Sequence, residues 1–497
     1  MNSEKTRPNI LWFCTDQQRW DTIGALGNSH IHTPNLDKLC NRGIAFTRAY
    51  TQSPICTASR ASFLTGRYPS AHNVYRNGNT EFPRGETVVT KLLSGAGYYC
   101  GLIGKLHLAR MSGRQEIRTD DGYDEFNWSP HSMAKLGPKG AYIDWLENKK
   151  GVKREELESL IDGPYGTGVP TEFHQSTWCG ELSVDFIKRN TDRPWLLSIN
   201  PFDPHPPIDP PPEYRERYDK TTLPYPVFKE SDIKHQEKFS PIDQQSKVAI
   251  DPQKYNPDKS LYGDADFDPD HAHDTPPVNF DSKEMKACYY AEVELLDTQI
   301  GRITDALKET GQLDNTIIIF TSDHGDMLGD HGLLYKGCRF YDGLVRVPLI
   351  VSWPGQAQKD VKSSALMELV DIAPTLLEAA GEPVPSSMQG KSFLNLLKGK
   401  TPVNKHKTHV ISEYYDSINF PGSHGSQGSM YFDGRYKISR YPIEGLGELY
   451  DTLEDPNEHN DLWDSPEHRL LRAELTEKQL DAVLQSIPPG DVRTADW

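Results

Sequence analysis

The sequence predicts an α/β fold, a large and mostly parallel sheet sandwiched by helices, with a smaller C-terminal α+β lobe that contains an antiparallel sheet. Three observations predict it. Short apolar runs stop abruptly at polar or acidic residues; helical patterns alternate with those runs; and beyond about residue 400 the chain changes to short strands joined by turn residues.

The runs Asn9-Ile10-Leu11-Trp12-Phe13-Cys14, Trp195-Leu196-Leu197-Ser198-Ile199 and Thr316-Ile317-Ile318-Ile319-Phe320 lack polar alternation, which predicts parallel strands buried on both faces. Between them, Pro34 to Arg42 reads as a helix with Thr33 as N-cap and Gly43 beyond its end. A longer helix carries Met285, Cys288, Tyr289, Val293, Leu296, Ile300, Ile303 and Leu307 on one face and stops near Gly311. In such sheets ligands bind beyond the carboxyl ends of the strands, so Asp16 and Asp323 are expected to share one site.

Residues 206–280 are rich in Pro, Asp and Lys with little apolar periodicity, and read as a wrapping insertion near the site mouth. Its His271 and His273 pair reads as solvated surface. After residue 400, 409–413, 429–432 and 435–439 read as strands, the last two joined by the hairpin signal Asp433-Gly434, before a helix over 467–485. The division expected is a catalytic domain over 1–400 and a C-terminal subdomain over 401–497.

A formal net charge of −17 excludes a general nucleic-acid binder, because phosphate recognition needs basic surface. Seven scattered cysteines with no CxxC pair suggest neither a disulfide framework nor a zinc knuckle. No apolar stretch suits a membrane span or a signal peptide, so no membrane partner is expected. The sequence as it stands reads as cytoplasmic, and as periplasmic or secreted if an export signal has been trimmed. Oligomeric state is left open.

The chemistry-bearing segments are Cys56-Thr57-Ala58-Ser59-Arg60, Asp16-Gln17, Asp323-His324-Gly325-Asp326, Gly104-Lys105-Leu106-His107, Pro204-His205-Pro206 and Lys336-Gly337. Asp16, Gln17, Asp323 and His324 offer hard oxygens and one imidazole, a set suited to a divalent cation. A lone cysteine or exposed lysine is ordinarily a packing or solvated residue. Here they occur together and in order.

Cys56 to Arg60, continuing Ala61-Ser62-Phe63-Leu64-Thr65-Gly66-Arg67, closely resembles the signature of the formylglycine-dependent sulfatases, members of the alkaline-phosphatase-like superfamily. Gly122-Tyr123-Asp124-Glu125-Phe126, Arg346-Val347-Pro348 and Leu449-Tyr450-Asp451 extend the likeness along nearly the whole chain, which resembles bacterial polysaccharide sulfatases. The family more often has proline at the position of Ala58 and, in many members, aspartate at that of Gln17.

The resemblance implies that a maturation enzyme converts Cys56 to formylglycine (3-oxoalanine), whose hydrate attacks sulfur. It implies that Asp16, Gln17, Asp323 and His324, with residue 56, hold one divalent ion, taken as calcium. Arg60, Lys105 and Lys336 would clamp the sulfate. His205, or Lys336 beside it, would protonate the leaving oxygen, and His107 would take a proton so that sulfate is eliminated and the aldehyde returns. The implied substrate is a sulfated polysaccharide or oligosaccharide, with ulvan-type glycans as one example. Arg76, Asn77, Asn79 and His174 are candidate sugar contacts, and Trp128, His131 and Trp178 are candidates for the mouth. A phosphonate or phosphate-ester hydrolase of the same superfamily is the nearest alternative, and a catalytically silent carbohydrate-binding relative the next.

Overall fold

The computed structural model describes residues 7–111, 115–130, 140–158, 160, 165–246, 249–254, 281–418 and 425–488. His131, His271 and His273 lie outside the described residues. At the centre is a nine-stranded sheet formed by β1 (Asn9–Thr15), β2 (Ile44–Tyr50), β3 (Tyr99–Gly104), β4 (Glu125–Trp128), β5 (Trp195–Asn200), β6 (Thr316–Ser322), β7 (Arg346–Ser352), β8 (Val361–Ser363) and β9 (Met367–Glu368). Their order is β4-β3-β5-β1-β6-β7-β2-β8, with β9 also paired to β2.

Parallel β5 and β6 flank β1, so that Phe13 stands opposite both Ile199 and Phe320. Among these strands only β7 runs against its neighbours. The chain leaves β6 at the carboxyl edge of the sheet and re-enters from that edge as β7, and an antiparallel neighbour needs no return crossing.

The unbroken apolar runs follow from burial on both faces. Ile10, Trp12 and Cys14 join one core with Phe46, Phe63 and Ile319, whereas Leu11 and Phe13 join the other with Ile318 and Phe320. Helices cover both cores: α1 (Pro34–Arg42), α2 (Cys56–Thr65), α3 (Gln175–Arg189) and α5 (Ser282–Glu309), whereas α4 (Glu230–Glu237) lies in the insertion.

The expected cap of α1 is corrected. Thr33 makes no bond to the free amides of its helix: its hydroxyl accepts from Gly24 N at 2.8 Å and donates to the Asp37 side chain, at 3.2 Å from Oδ1. The free amides of Asn35 and Leu36 instead donate to Asp297 Oδ1, at 3.0 and 2.7 Å, from the neighbouring α5. A carboxylate satisfies a helix N-terminus wherever it comes from.

The long apolar face of α5 serves two cores. Leu296, Ile300, Ile303 and Leu307 lie against the sheet, whereas Met285, Tyr289 and Val293 pack with Ile208, Tyr214, Tyr218 and Leu223 of the insertion. The described part of the insertion is therefore packed structure.

The C-terminal sheet has β10 (Val410–Tyr415), β11 (Gln427–Phe432), β12 (Tyr436–Tyr441) and β13 (Leu446–Asp451) in sequential antiparallel order. The hairpin turns at Gly434, whose φ of +96° suits glycine, while Asp433 Oδ1 accepts from the amides of Arg435 and Tyr436. On one face Leu475 and Ala482 of α6 (Arg469–Ser486) pack with Ile411, Tyr431 and Ile438. On the other, Val410, Met430 and Phe432 pack with Tyr50, Ile55 and Phe340. Among the described residues no helix is long and apolar enough to cross a membrane.

Candidate active site

The site forms where β1, β6 and α2 meet. Asp16 follows β1, Asp323 and His324 follow β6, and Cys56 is the first residue of α2. Because β1 and β6 are hydrogen-bonded neighbours, the two strand ends emerge side by side despite their distance in sequence. One ligand atom each from Asp16, Cys56, Asp323 and His324 lie within 4.8 Å of one another, all buried.

Second contacts fix these groups. His324 Nδ1 donates to Gly325 O at 2.8 Å, which fixes the tautomer and leaves Nε2 as a lone pair 3.0 Å from Cys56 Sγ. Arg60 lies one turn along α2 and reaches back: Nε is 2.9 Å from Asp323 Oδ2, Nη1 donates to Lys105 O at 3.2 Å, and the buried Nη2, 3.6 Å from Asp16 Oδ2, has no hydrogen-bond partner among the described residues. Lys105 Nζ is 2.5 Å from Asp16 Oδ2. It follows Gly104, where a Cβ would sit 1.9 Å from Asn200 O, so only glycine brings the lysine backbone this close to β5.

Lys336 Nζ donates to Gln17 Oε1 at 2.9 Å and lies 3.0 Å from Cys56 Sγ. The other end of the Gln17 carboxamide donates to Asp326 Oδ2, and Gln17 N donates to Asp323 Oδ1 at 3.0 Å. Gln17 thus stands beside the four-residue cluster with its oxygen toward Lys336, which also reaches Cys56. It holds a φ of +67°, and His107 one of +56°; non-glycine residues in that region concentrate where the surroundings over-determine the backbone.

Charge sets protonation here. Burial would push Asp16 up, but the charges of Lys105, Arg60 and Lys336 hold its carboxyl well below the ordinary range. Burial and Asp16 would push Cys56 up too, yet Lys336 and Lys105 outweigh them and the thiol falls below its usual value. The other six cysteines, all buried and unpaired, are pushed upward by burial. Cys56 alone is tuned toward the anion.

Both remaining histidines stay neutral. Burial and the Lys105 and Arg60 charges lower His107 well below its usual value, and burial with Lys336 does the same to His205. His205 Nδ1 donates to Pro206 O at 2.7 Å, so its Nε2 presents a lone pair. His107 is positioned by Glu116, which accepts from His107 N at 2.7 Å, Leu108 N at 3.0 Å and Trp128 Nε1 at 2.9 Å.

The donor set fits a divalent cation. Two carboxylates and an imidazole lone pair converge with two lysines and an arginine around them, a combination of metal ligands and anion-clamping cations.

The sulfatase family model matches residues 8–382. The chain belongs to the sulfatase family. A further model, N-sulphoglucosamine sulphohydrolase, C-terminal, matches residues 329–485. An arylsulfatase of Clostridium perfringens is 31% identical over 484 residues, spanning 93% of this chain and 92% of its own. An N-acetylglucosamine-6-O-sulfatase of Bacteroides thetaiotaomicron is 28% identical, spanning 95% and 85%. The phosphonate monoester hydrolase of Agrobacterium radiobacter matches with a TM-score of 0.79 at 23% identity, covering 97% of this chain and 96% of that one, a likeness of fold. The protein is thus a sulfuric ester hydrolase with the alkaline-phosphatase-like fold.

The remaining candidate contacts of this sulfatase separate. Arg76 is exposed and bound to Asp416, at 2.8 Å from Nη2 to Oδ2. Asn77, half-buried, accepts from Thr57 N at 3.2 Å and so caps the start of α2, and half-buried Asn79 accepts from Arg110 N through its backbone. His174 is buried at the N-terminus of α3, where Nδ1 accepts from Ser176 N at 3.3 Å. Its Nδ1 is committed to that helix, and the nearby Asp203 carboxylate takes the Ser176 hydroxyl. Trp128 and Trp178 are core residues at 2% and 0% exposure, which corrects their expected place at the mouth.

Sequence reasoning missed Asp326 as the orienter of Gln17 and Glu116 as the anchor of His107. The Asp323-His324-Gly325-Asp326 motif carried a signal for the first; nothing in the pattern pointed to Glu116.

Proposed function

We propose that this sulfatase cleaves sulfate esters of a sulfated polysaccharide or oligosaccharide, using an oxygen nucleophile on residue 56 after a maturation enzyme has converted Cys56 to formylglycine. The observation that carries the reading is the placement of Cys56: the first residue of a buried helix, within one ligand cluster, and the one thiol among seven whose acidity is raised.

Asp16, Asp323, His324 and residue 56, with Gln17 Oε1 beside them, would hold the cation, taken as calcium. When bound, that cation supplies positive charge against the sulfate oxygens and favours the ionised nucleophile. Arg60 orients residue 56 through its hold on Asp323, and its unspent Nη2–H is available to a sulfate oxygen. Lys105 and Lys336 add two cations in a site shielded from water, where each charge acts more strongly than at the surface.

Proton traffic divides between two kinds of group. His107 and His205 are neutral and can accept a proton, His205 at Nε2. Lys336 Nζ, beside Cys56, is the better-placed donor to the departing alcohol oxygen. A carbohydrate leaving group is supported by the relative named N-acetylglucosamine-6-O-sulfatase and by the second family model.

The test is a screen of defined sulfated oligosaccharides, with an aryl sulfate and an aryl phosphonate run beside them, after mass spectrometry has verified formylglycine at residue 56. Turnover of sulfated sugars by the matured chain and its loss in Cys56→Ser are expected. Undiminished hydrolysis by Cys56→Ser would remove the nucleophile, and preference for the phosphonate would overturn the substrate class.

A further inference from the structure

A second cluster of ligand-type side chains lies outside the site of Cys56. Asp232 comes from α4 in the insertion, His331 from the loop between Asp326 and Lys336, and His459 from the segment after β13. One ligand atom from each lies within 4.8 Å of the others. The side chains are 3%, 5% and 6% exposed, so three widely separated stretches of chain converge on one enclosed point.

The geometry distinguishes two explanations. A carboxylate clasped by two imidazoles would place both ring nitrogens at hydrogen-bond distance. His459 Nδ1 does lie 3.1 Å from Asp232 Oδ1, but His331 Nδ1 is 3.7 Å from Oδ2, too long for a hydrogen bond. One ligand atom from each of the three residues lies within 4.8 Å of the others, close enough for small side-chain shifts to bring them onto one ion at about 2.0–2.1 Å from each.

The rings are also fixed in place. His331 has a φ of +53°, its backbone N donates to Val227 O at 2.7 Å, and its ring stacks on Tyr341 at 4.0 Å and 16°. Asp232 is oriented by Lys229 N, which donates to its Oδ2 at 2.8 Å. Rigid presentation of imidazole and carboxylate from separate elements is what a small cation requires.

We infer that Asp232, His331 and His459 form a second metal site, which binds a divalent transition ion of the zinc type and staples the insertion and the C-terminal lobe to the loop that carries Lys336. Two imidazoles with one carboxylate favour such an ion over calcium, which prefers an all-oxygen shell. Solvent supplies the fourth position. Binding displaces the proton on whichever Nδ1 carries it and consumes no other reactant. The inference is independent of the chemistry proposed at residue 56.

The experiment uses the full chain, stripped with chelator, saturated with calcium and then equilibrated with zinc. Zinc per chain is measured by elemental analysis after gel filtration, and thermal midpoints are recorded with and without zinc. The unaltered protein should retain one more zinc per chain than His459→Gln, and zinc should raise its midpoint but not that of the variant. Subtraction cancels any zinc taken up beside Cys56. As a second measurement that needs no variant, cobalt added to the calcium-saturated protein should give the intense visible absorption of four-coordinate cobalt, abolished by zinc. Equal zinc content in the two proteins, or cobalt spectra without that absorption, would show the triad to be a hydrogen-bonded clasp and nothing more.

Discussion

The carboxamide of Gln17 is held at both ends, its Nε2 donating to Asp326 Oδ2 and its Oε1 accepting from Lys336. An amide has a donor end and an acceptor end, and Asp326 decides which one faces Lys336. Asp326→Asn lets the Gln17 amide turn over. Loss of an outer partner of this kind typically costs 10–100-fold in metal affinity. Activity titrated with calcium after chelator dialysis should shift to higher calcium by about that factor while kcat at saturation stays within a few-fold of the parent. An unshifted calcium curve would show that Gln17 needs no orienter.

Leaving-group dependence should separate Lys336 from His205. If Lys336 supplies the proton, Lys336→Ala should lose about 10²–10⁴-fold in kcat on sugar or alkyl sulfates and markedly less on aryl sulfates, whose departing oxygen needs less help. His205→Ala should lower both classes alike, because a neutral ring with its Nδ1–H on Pro206 O has no proton to give at Nε2. The reverse pattern would return the donor role to His205.

Cys56→Ser keeps the shape of a small buried side chain at the head of α2. The variant should unfold within a few degrees of the parent and give the same far-ultraviolet spectrum, while turnover falls to the detection limit. A large drop in thermal midpoint instead would show that residue 56 holds the helix as well as reacting.

A pH effect on stability follows from Glu413, which accepts from Ser70 N at 3.0 Å and Ser486 Oγ at 3.1 Å inside the contact between α6 and the segment after α2. Burial pushes its carboxyl up to about 6 from 4.5, despite those hydrogen bonds. The folded state therefore holds this proton more tightly than the unfolded chain. The contribution is fully present below about 4.5 and is lost as pH rises through about 6, a change of about 2 kcal/mol. The stability of Glu413→Gln relative to the parent should rise by up to that amount between pH 4.5 and 7 in paired denaturant titrations. A constant difference would place the charge elsewhere.

How far the sequence was legible depended on whether a residue's partner was near in the chain or a matter of three-dimensional packing. The runs at Ile10, Leu197 and Ile318 announced strands buried on both faces, and their abrupt ends at Asp16 and Asp323 announced one shared site. The cap of α1 was misread because a threonine in the right position is a local signal, whereas Asp297 arrives from another helix. Trp178 and His174 suggested a wet mouth, since amphipathic side chains look alike whether they line a cleft or a core; only packing against Phe13 and Leu197, and the helix end at Ser176, distinguishes them. Glu116 was invisible because it works through the backbone of His107 and Leu108.

The complete burial of Cys56, at 0% exposure, also bears on the order of events during synthesis. β1 pairs with strands that begin at Trp195 and Thr316, and the groups that close over the thiol include Asp323, His324 and Lys336. A ribosome emitting about 5–20 residues per second takes many seconds to travel from Cys56 to Lys336. Throughout that interval α2 lacks the groups that later enclose Cys56, and the sulfur would be open to the maturation enzyme proposed above. Once β6 docks beside β1, the same atom lies buried among two lysines and an arginine. The long sequence separation of the central strands would thus act as a clock for the maturation proposed above, with residue 56 most open to a maturation enzyme before β6 docks.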